Sequence, residues 1–300
     1  MNLSVLRADL EEFAEAISRE EYLTRAGLKA ESRAAAVREQ FVVLGSRAAF
    51  EEVHDKAQGA SGAEEARRLR YLAEFLGTTC VEYRARVLND RLVTAEATQT
   101  VGADGRQIPL RSVETRIKNE GDRARRAALE AVRLSAVADL NGLRQEILET
   151  GHEEASRLGF SGYTALCREL SGIDLTALRD LTQPILSRSQ DMYREVLAWY
   201  LMRWVGAPPR EARRHDLVRV FRAPELDRLM PPDALHEAAE APIRRMGIDP
   251  AAAGRIRVDD EPRPAKLPRA FVAAPRIPDE IILVVRPGGI LRSAPHTCRW

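Results

Sequence analysis

The sequence is poor in the features that announce many function classes. Its 300 residues hold three cysteines, Cys80, Cys167 and Cys298, odd in number, far apart and with no Cys-x-x-Cys pair. That spacing excludes a zinc ribbon and a thioredoxin-like redox motif. Cys80 and Cys167 fall within helical patterns and are expected as small buried hydrophobes. Charge of either sign is not in excess: the net charge is +1, so nothing marks a nucleic acid or an anionic membrane surface as partner. Long apolar runs are missing too. The longest, residues 196–202 and 281–285, fall far short of the ~20 residues that a membrane span needs. The first twenty residues turn acidic from Asp9 onward and lack a basic start followed by an apolar run, so no signal peptide is read there. A cytoplasmic, reducing setting is the expectation. A Gly-rich phosphate loop and a Gly-x-Ser-x-Gly nucleophile elbow are both absent.

Lysine is scarce, with Lys29, Lys56, Lys118 and Lys266 standing among 46 basic residues; the scattered arginines read as codon composition. Runs at 123–126 and 210–214 are interleaved with Glu120, Asp122, Glu211 and Asp216, which predicts solvated helix faces.

Proline divides the chain. Only Pro109 and Pro184 of the 16 prolines precede residue 200. Ahead of Gly206 the apolar period is helical. Leu3, Leu6, Leu10, Phe13 and Ile17 form one stripe, and Ser61 offers an N-cap for a run through Leu69, Leu72, Phe75, Val81, Tyr83 and Val87. Gly102-Ala103-Asp104-Gly105 is a turn signal within a small hairpin or loop over 101–113. Leu129 through Leu158 predicts one long helix with Gly159 as its C′ residue, and Asp174 caps another that Pro184 kinks or interrupts. Beyond Pro208-Pro209 the elements shorten to helices near 217–221 and 234–246 and strands near 255–258, 270–274 and 280–285. The expected fold is mainly α, a multi-helix array with a small β hairpin or sheet element near the C-terminus. Its expected parts are a helical region 1–206, a mixed region 207–289 and an atypical tail 290–300. Residues 281–285 are apolar on both faces, which in a strand demands cover above and below.

Several stretches carry a family likeness. They are Tyr22-Leu23-Thr24-Arg25-Ala26-Gly27-Leu28-Lys29, Leu158-Gly159-Phe160-Ser161-Gly162-Tyr163 and Arg214-His215-Asp216-Leu217. Near the end come Asp259-Asp260-Glu261, Lys266-Leu267-Pro268-Arg269-Ala270-Phe271, Pro278-Asp279-Glu280-Ile281-Ile282-Leu283-Val284 and Arg286-Pro287-Gly288-Gly289. In order and spacing the chain resembles the N-terminal portion of thimet-oligopeptidase/oligoendopeptidase-type zinc metallopeptidases, the part ahead of their His-Glu-x-x-His motif. The resemblance implies a helical channel wall and a hairpin strand that pairs with an extended oligopeptide, placed at Phe271, Val272, Ala273 and Ala274. Zinc is the family's metal, but this chain has no such motif. Its histidines, His54, His152, His215, His236 and His296, include no two that stand four apart. The tail 290–300 departs from the family and reads as out of frame. The chain is therefore expected to be a truncated, catalytically incomplete product that holds no cofactor of its own. A non-enzymatic scaffold or peptide-binding module is the alternative. An uncovered hairpin also predicts self-association or aggregation.

Two remoter readings compete. Glu51-x-x-His54 and Glu149-x-x-His152 have the spacing of di-iron helical bundles, although Glu149 and His152 fall on the flank or back of their helix. His54-Asp55 and His215-Asp216 have the doublet of helical metal-dependent phosphohydrolases; at the second, Asp216 reads as a helix N-cap.

Overall fold

The computed structural model describes residues 2–229, 235–247, 249 and 254–285. The chain is mainly α and divides into two compact units that it visits alternately. The first gathers Met1–Glu20, Glu31–Thr94 and Leu140–Gln190; the second gathers Glu21–Ala30, Ala95–Asp139 and Asp191–Trp300.

The first unit is helical. It holds most of α1 (Leu3–Arg25), α2 (Ala34–Gln40), α3 (Arg47–Gly59), α4 (Ala63–Arg84), the greater part of α5 (Arg86–Thr98), α8 (Asn141–Arg157), α9 (Tyr163–Ser171) and the first half of α10 (Leu175–Trp204). Its core joins Leu6 and Phe13 of α1, Phe50 and Val53 of α3, Leu69, Leu72 and Leu76 of α4, Ala155 of α8 and Leu166 and Leu170 of α9. The expected α1 stripe is thus the buried one, with Leu3, Leu10 and Ile17 packed at its margin. Ser46 caps α3 by accepting from the Ala49 N–H at 3.3 Å. Helix α4 starts one residue later than Ser61 suggests, with Gly62 as its N-cap and no side-chain bond. Gly159 does close α8. Its N–H donates to Ser156 O at 3.1 Å and the Phe160 N–H to Ala155 O at 3.0 Å, the paired bonds of a Schellman end. Asp174 caps α10 through the Thr176 and Ala177 N–H groups, and the helix runs through Pro184 without a break.

The single helix expected over Leu129 to Leu158 is two, α7 (Arg123–Ala138) and α8, parted at Asp139-Leu140. Asp139 and Asn141 are weak helix formers that compete for backbone hydrogen bonds, and the break divides the two units. The second unit also holds a hairpin, β1 (Thr100–Ala103) against β2 (Arg106–Pro109). Its two-residue turn, Asp104-Gly105, has positive φ at both residues, as a type I′ turn requires. Then come α6 (Leu110–Asn119), α11 (Arg214–Arg222), α12 (Leu235–Arg245) and a three-stranded sheet of β3 (Ile256–Asp259), β4 (Phe271–Arg276) and β5 (Glu280–Val284). Among the described residues no helix is long and apolar enough to cross a membrane. Residues 286–300, with Arg286-Pro287-Gly288-Gly289, His296 and Cys298, lie outside the described residues, as does the side chain of His236.

Candidate functional site

The sheet has the order β3-β5-β4, with β5 parallel to β3 and antiparallel to β4. Register puts Arg257, Asp259, Ile282, Val284, Phe271 and Ala273 on one face. That face is covered: Ala273, Ile282 and Val284 pack with Tyr22 and Ala26 from the end of α1, and Phe271 joins at the margin. The other face carries Ile256, Val258, Val272, Ile281 and Leu283. Ile256, Val258 and Val272 are 41%, 45% and 60% exposed, while Ile281 and Leu283 are half-buried. The doubly apolar strand therefore has one face packed and the other open to solvent among the described residues.

Strand β4 ends the sheet order, so its far side is an edge among the described residues. Which of its backbone groups face outward follows from β5. The Ile281 N–H donates to Arg255 O at 2.8 Å and the Val285 N–H to Asp259 O at 2.9 Å. Odd-numbered residues of β5 thus bond toward β3, and alternation turns Ile282 and Val284 toward β4. Their partners, Ala273 and Phe271, exchange bonds with β5, which leaves the N–H and C=O of Val272 pointing outward. The register shifts between Ala273 and Arg276, a bulge that holds Ala274 and the buried Pro275. Of the four residues expected to meet a peptide, Val272 thus offers backbone pairing. Phe271 and Ala273 turn both backbone and side chain inward. Ala273 packs against Tyr22 and Ala26.

A buried ionic cluster fastens this sheet to the end of α1. Lys266, fully buried, donates from Nζ to Asp259 Oδ1, Asp259 O and Glu261 O, each at 2.9 Å. Asp259 also accepts from Tyr22 Oη at 3.0 Å and from Arg263 Nη1 at 3.0 Å. Burial pushes the Asp259 carboxyl up, but the bonds from Lys266, Tyr22 and Arg263 outweigh it and hold it below the ordinary aspartate value. The strap that carries Lys266 crosses the α1 terminus: the Leu267 N–H donates to Arg25 O at 2.9 Å, and Arg111 Nη1 donates to Ala265 O at 3.1 Å. Gly27, at φ +70°, lies so close that a Cβ there would stand 2.6 Å from the Lys266 backbone nitrogen. Residues 22–29 and 259–271, far apart in sequence, are thus one three-dimensional assembly. Sequence reasoning missed the clasp. Its one signal was a lysine kept where arginine is otherwise nearly universal: a compact ammonium fits three convergent acceptors, and a planar guanidinium does not.

A second ionic cluster corrects the expectation of solvated arginine faces. Arg126 is 1% exposed and Asp216 fully buried. Asp216 accepts from Arg126 Nη2 at 3.2 Å and Arg123 Nη2 at 3.0 Å, and Arg126 Nη1 donates to the Glu120 and Gly121 carbonyls. Nor is Asp216 the N-cap of α11; it is the third helical residue and accepts from the Arg213 N–H at 3.1 Å. This is the acidic half of a capping box. Nearby, Glu130 accepts from Arg133 and Arg214. The carboxyls of Asp216, Glu130 and Glu114 are raised by burial but lowered further by their cationic partners, ending below their ordinary values. Depressed folded-state values stabilise fully above the unfolded carboxylate range and lose that stabilisation as pH falls from there through the lower folded-state values. Melting temperature should therefore be flat from neutral pH down to ~5 and drop steeply below ~4, near the unfolded carboxylate values. A pH series of thermal melts checks this; a fall beginning between pH 6 and 7 would contradict it.

The remaining sequence candidates are engaged locally. Glu51 pairs with Arg47 at 2.7 Å, and the His54 ring stacks on Phe50 with centroids 5.3 Å apart. Glu149 accepts from Gln145, and His152 Nδ1 accepts from the Tyr163 N–H at 3.3 Å at the start of α9. His215 Nε2 lies 3.6 Å from Asp216, whose oxygens already serve arginines. Among the described residues no three of His, Cys, Asp and Glu gather into a set able to hold a metal ion. The sequence contains no His-x-x-x-His pair. Cys80 is buried and its thiol is pushed up to about 12, chiefly by that burial, which makes it inert. Cys167, expected to be buried, is exposed on α9. Comparisons with protein-family models, curated proteins and solved structures return no match to this chain.

Proposed function

We propose that the chain binds extended oligopeptides along the edge of β4 that is open among the described residues, and does not hydrolyse them. In this reading it corresponds to the substrate-holding portion of a zinc-dependent oligopeptidase-type enzyme. The observation that carries the reading is the edge itself: Val272 presents its N–H and C=O outward on a strand buttressed by the Lys266–Asp259 clasp. A peptide laid there gains main-chain hydrogen bonds irrespective of its sequence, which suits a binder of many oligopeptides. Support also comes from the way residues 22–29 and 259–271, two stretches of the family likeness, meet at this strand. The sequence supplies no His-Glu-x-x-His, the motif that in such enzymes holds the zinc and activates its water.

The test is a titration of fluorescent, quencher-paired octapeptides with β-forming sequences, in the presence of zinc. Saturable binding without turnover is the expected result. Val272→Pro, which removes the outward donor at an edge position where proline is tolerated, should weaken binding about tenfold, the loss of one to two hydrogen bonds. Chelator-sensitive cleavage, or no binding at all, would overturn the reading.

A further inference from the structure

Among the described residues, helix α10 leaves its apolar residues in water along most of its length. Of its 30 residues only Leu201 is buried. Leu178, Leu181, Ile185, Met192, Val196 and Trp199 are between 47% and 71% exposed. At ~100° per residue these six fall within an arc of about 60°, a continuous stripe down one side of an unbroken helix. Water-exposed stripes of this kind are completed by another surface.

We propose that α10 pairs with α10 of a second copy of this chain, antiparallel, across that stripe. The spacing points to a second copy. The six residues follow one another at intervals of 3, 4, 7, 4 and 3, a series that reads the same from either end. A two-fold axis between Arg188 and Ser189 therefore sets Leu178 against Trp199, Leu181 against Val196 and Ile185 against Met192, each apolar on apolar. This is the self-complementary pattern of an isologous interface. Charge agrees with the same axis. Arg188 and Glu195 lie on one flank of the stripe, about 20° apart in helical phase. The two-fold operation keeps flank against flank and brings Arg188 to about 9 Å, measured along the axis, from the other copy's Glu195. Both side chains lean toward their own N-termini and so toward each other; Arg188 Nε already reaches back to Pro184 O at 3.2 Å. Area agrees as well. The six stripe residues offer roughly 700 Å² per copy, close to the ~800 Å² per partner of a stable interface.

Sedimentation velocity on the full chain at micromolar concentration should report a dimer. Ile185→Glu, at an exposed position, should raise the dissociation constant about 100-fold with the circular dichroism spectrum unchanged. Arg188→Glu should weaken the dimer, and adding Glu195→Arg should restore it. In a Cys167→Ser, Cys298→Ser background a short thiol cross-linker should join Ser189→Cys to its mate. Leu178→Cys, displaced ~30 Å from its mate along the antiparallel axis, should remain unlinked. A monomer at every concentration, a dimer indifferent to Ile185→Glu, or efficient linking through Leu178→Cys would overturn the proposal. The last would mark a parallel pair, and the second would mark association through the open sheet face instead.

Discussion

Replacing Asp216 by Ala should lower stability by about 3–5 kcal/mol, the cost of leaving a buried charge without its partner. Arg126 would keep only the Glu120 and Gly121 carbonyls, and Arg123 would lose all three of its carboxylate bonds. In a unit of about 150 residues that loss corresponds to a fall in melting temperature of about 10 °C. The Arg213 N–H at the start of α11 would also lose its acceptor. Asp216→Asn keeps an acceptor for that N–H and should cost less. Arg126→Met removes the cation in place of the anion and should be milder than Asp216→Ala, since Asp216 keeps its bonds from Arg123 and from the Arg213 N–H. Thermal melts of the three variants order the effects. Equal, small shifts of under 2 °C would mean that the cluster is solvated and contributes little.

Lys266→Ala should be similarly severe, about 3–5 kcal/mol, because it strips the buried Asp259 of one partner and opens a cavity at a fully buried site. Lys266→Arg should not rescue it, as three acceptors converge on one nitrogen in a space that holds no planar fork. The consequence is also functional. Asp259 ends β3 and binds Tyr22 of α1, so loosening it frees the sheet from its support and should abolish peptide binding well below the melting temperature. Denaturant melts and peptide titrations on the same samples separate the two effects. Full-affinity binding by Lys266→Ala would show that the clasp does not hold the binding strand.

The helices were legible because their apolar spacing is regular. The α1 stripe, the Asp174 cap and the Gly159 end each follow from local chemistry. The strands were legible within a residue or two for the same reason, as was the two-residue Asp104-Gly105 turn. What escaped depends on contacts between distant residues. An arginine run looks the same whether it faces water, like Arg210, or is enclosed, like Arg126, and only the arrival of Asp216 from 90 positions away decides. Likewise nothing local shows that Ala273 is small because Tyr22 and Ala26 lie beneath it. The break at Asp139-Leu140 was hidden because the apolar period continues across it.

Backbone hydrogen exchange with and without a saturating octapeptide tests peptide binding at the β4 edge directly. The Val272 amide, which points away from β5, should exchange quickly in the free protein and become protected when peptide is added, while Ala273, already bonded to β5, changes little. Protection that appears elsewhere and leaves Val272 exchanging at its free rate would contradict peptide binding by strand addition.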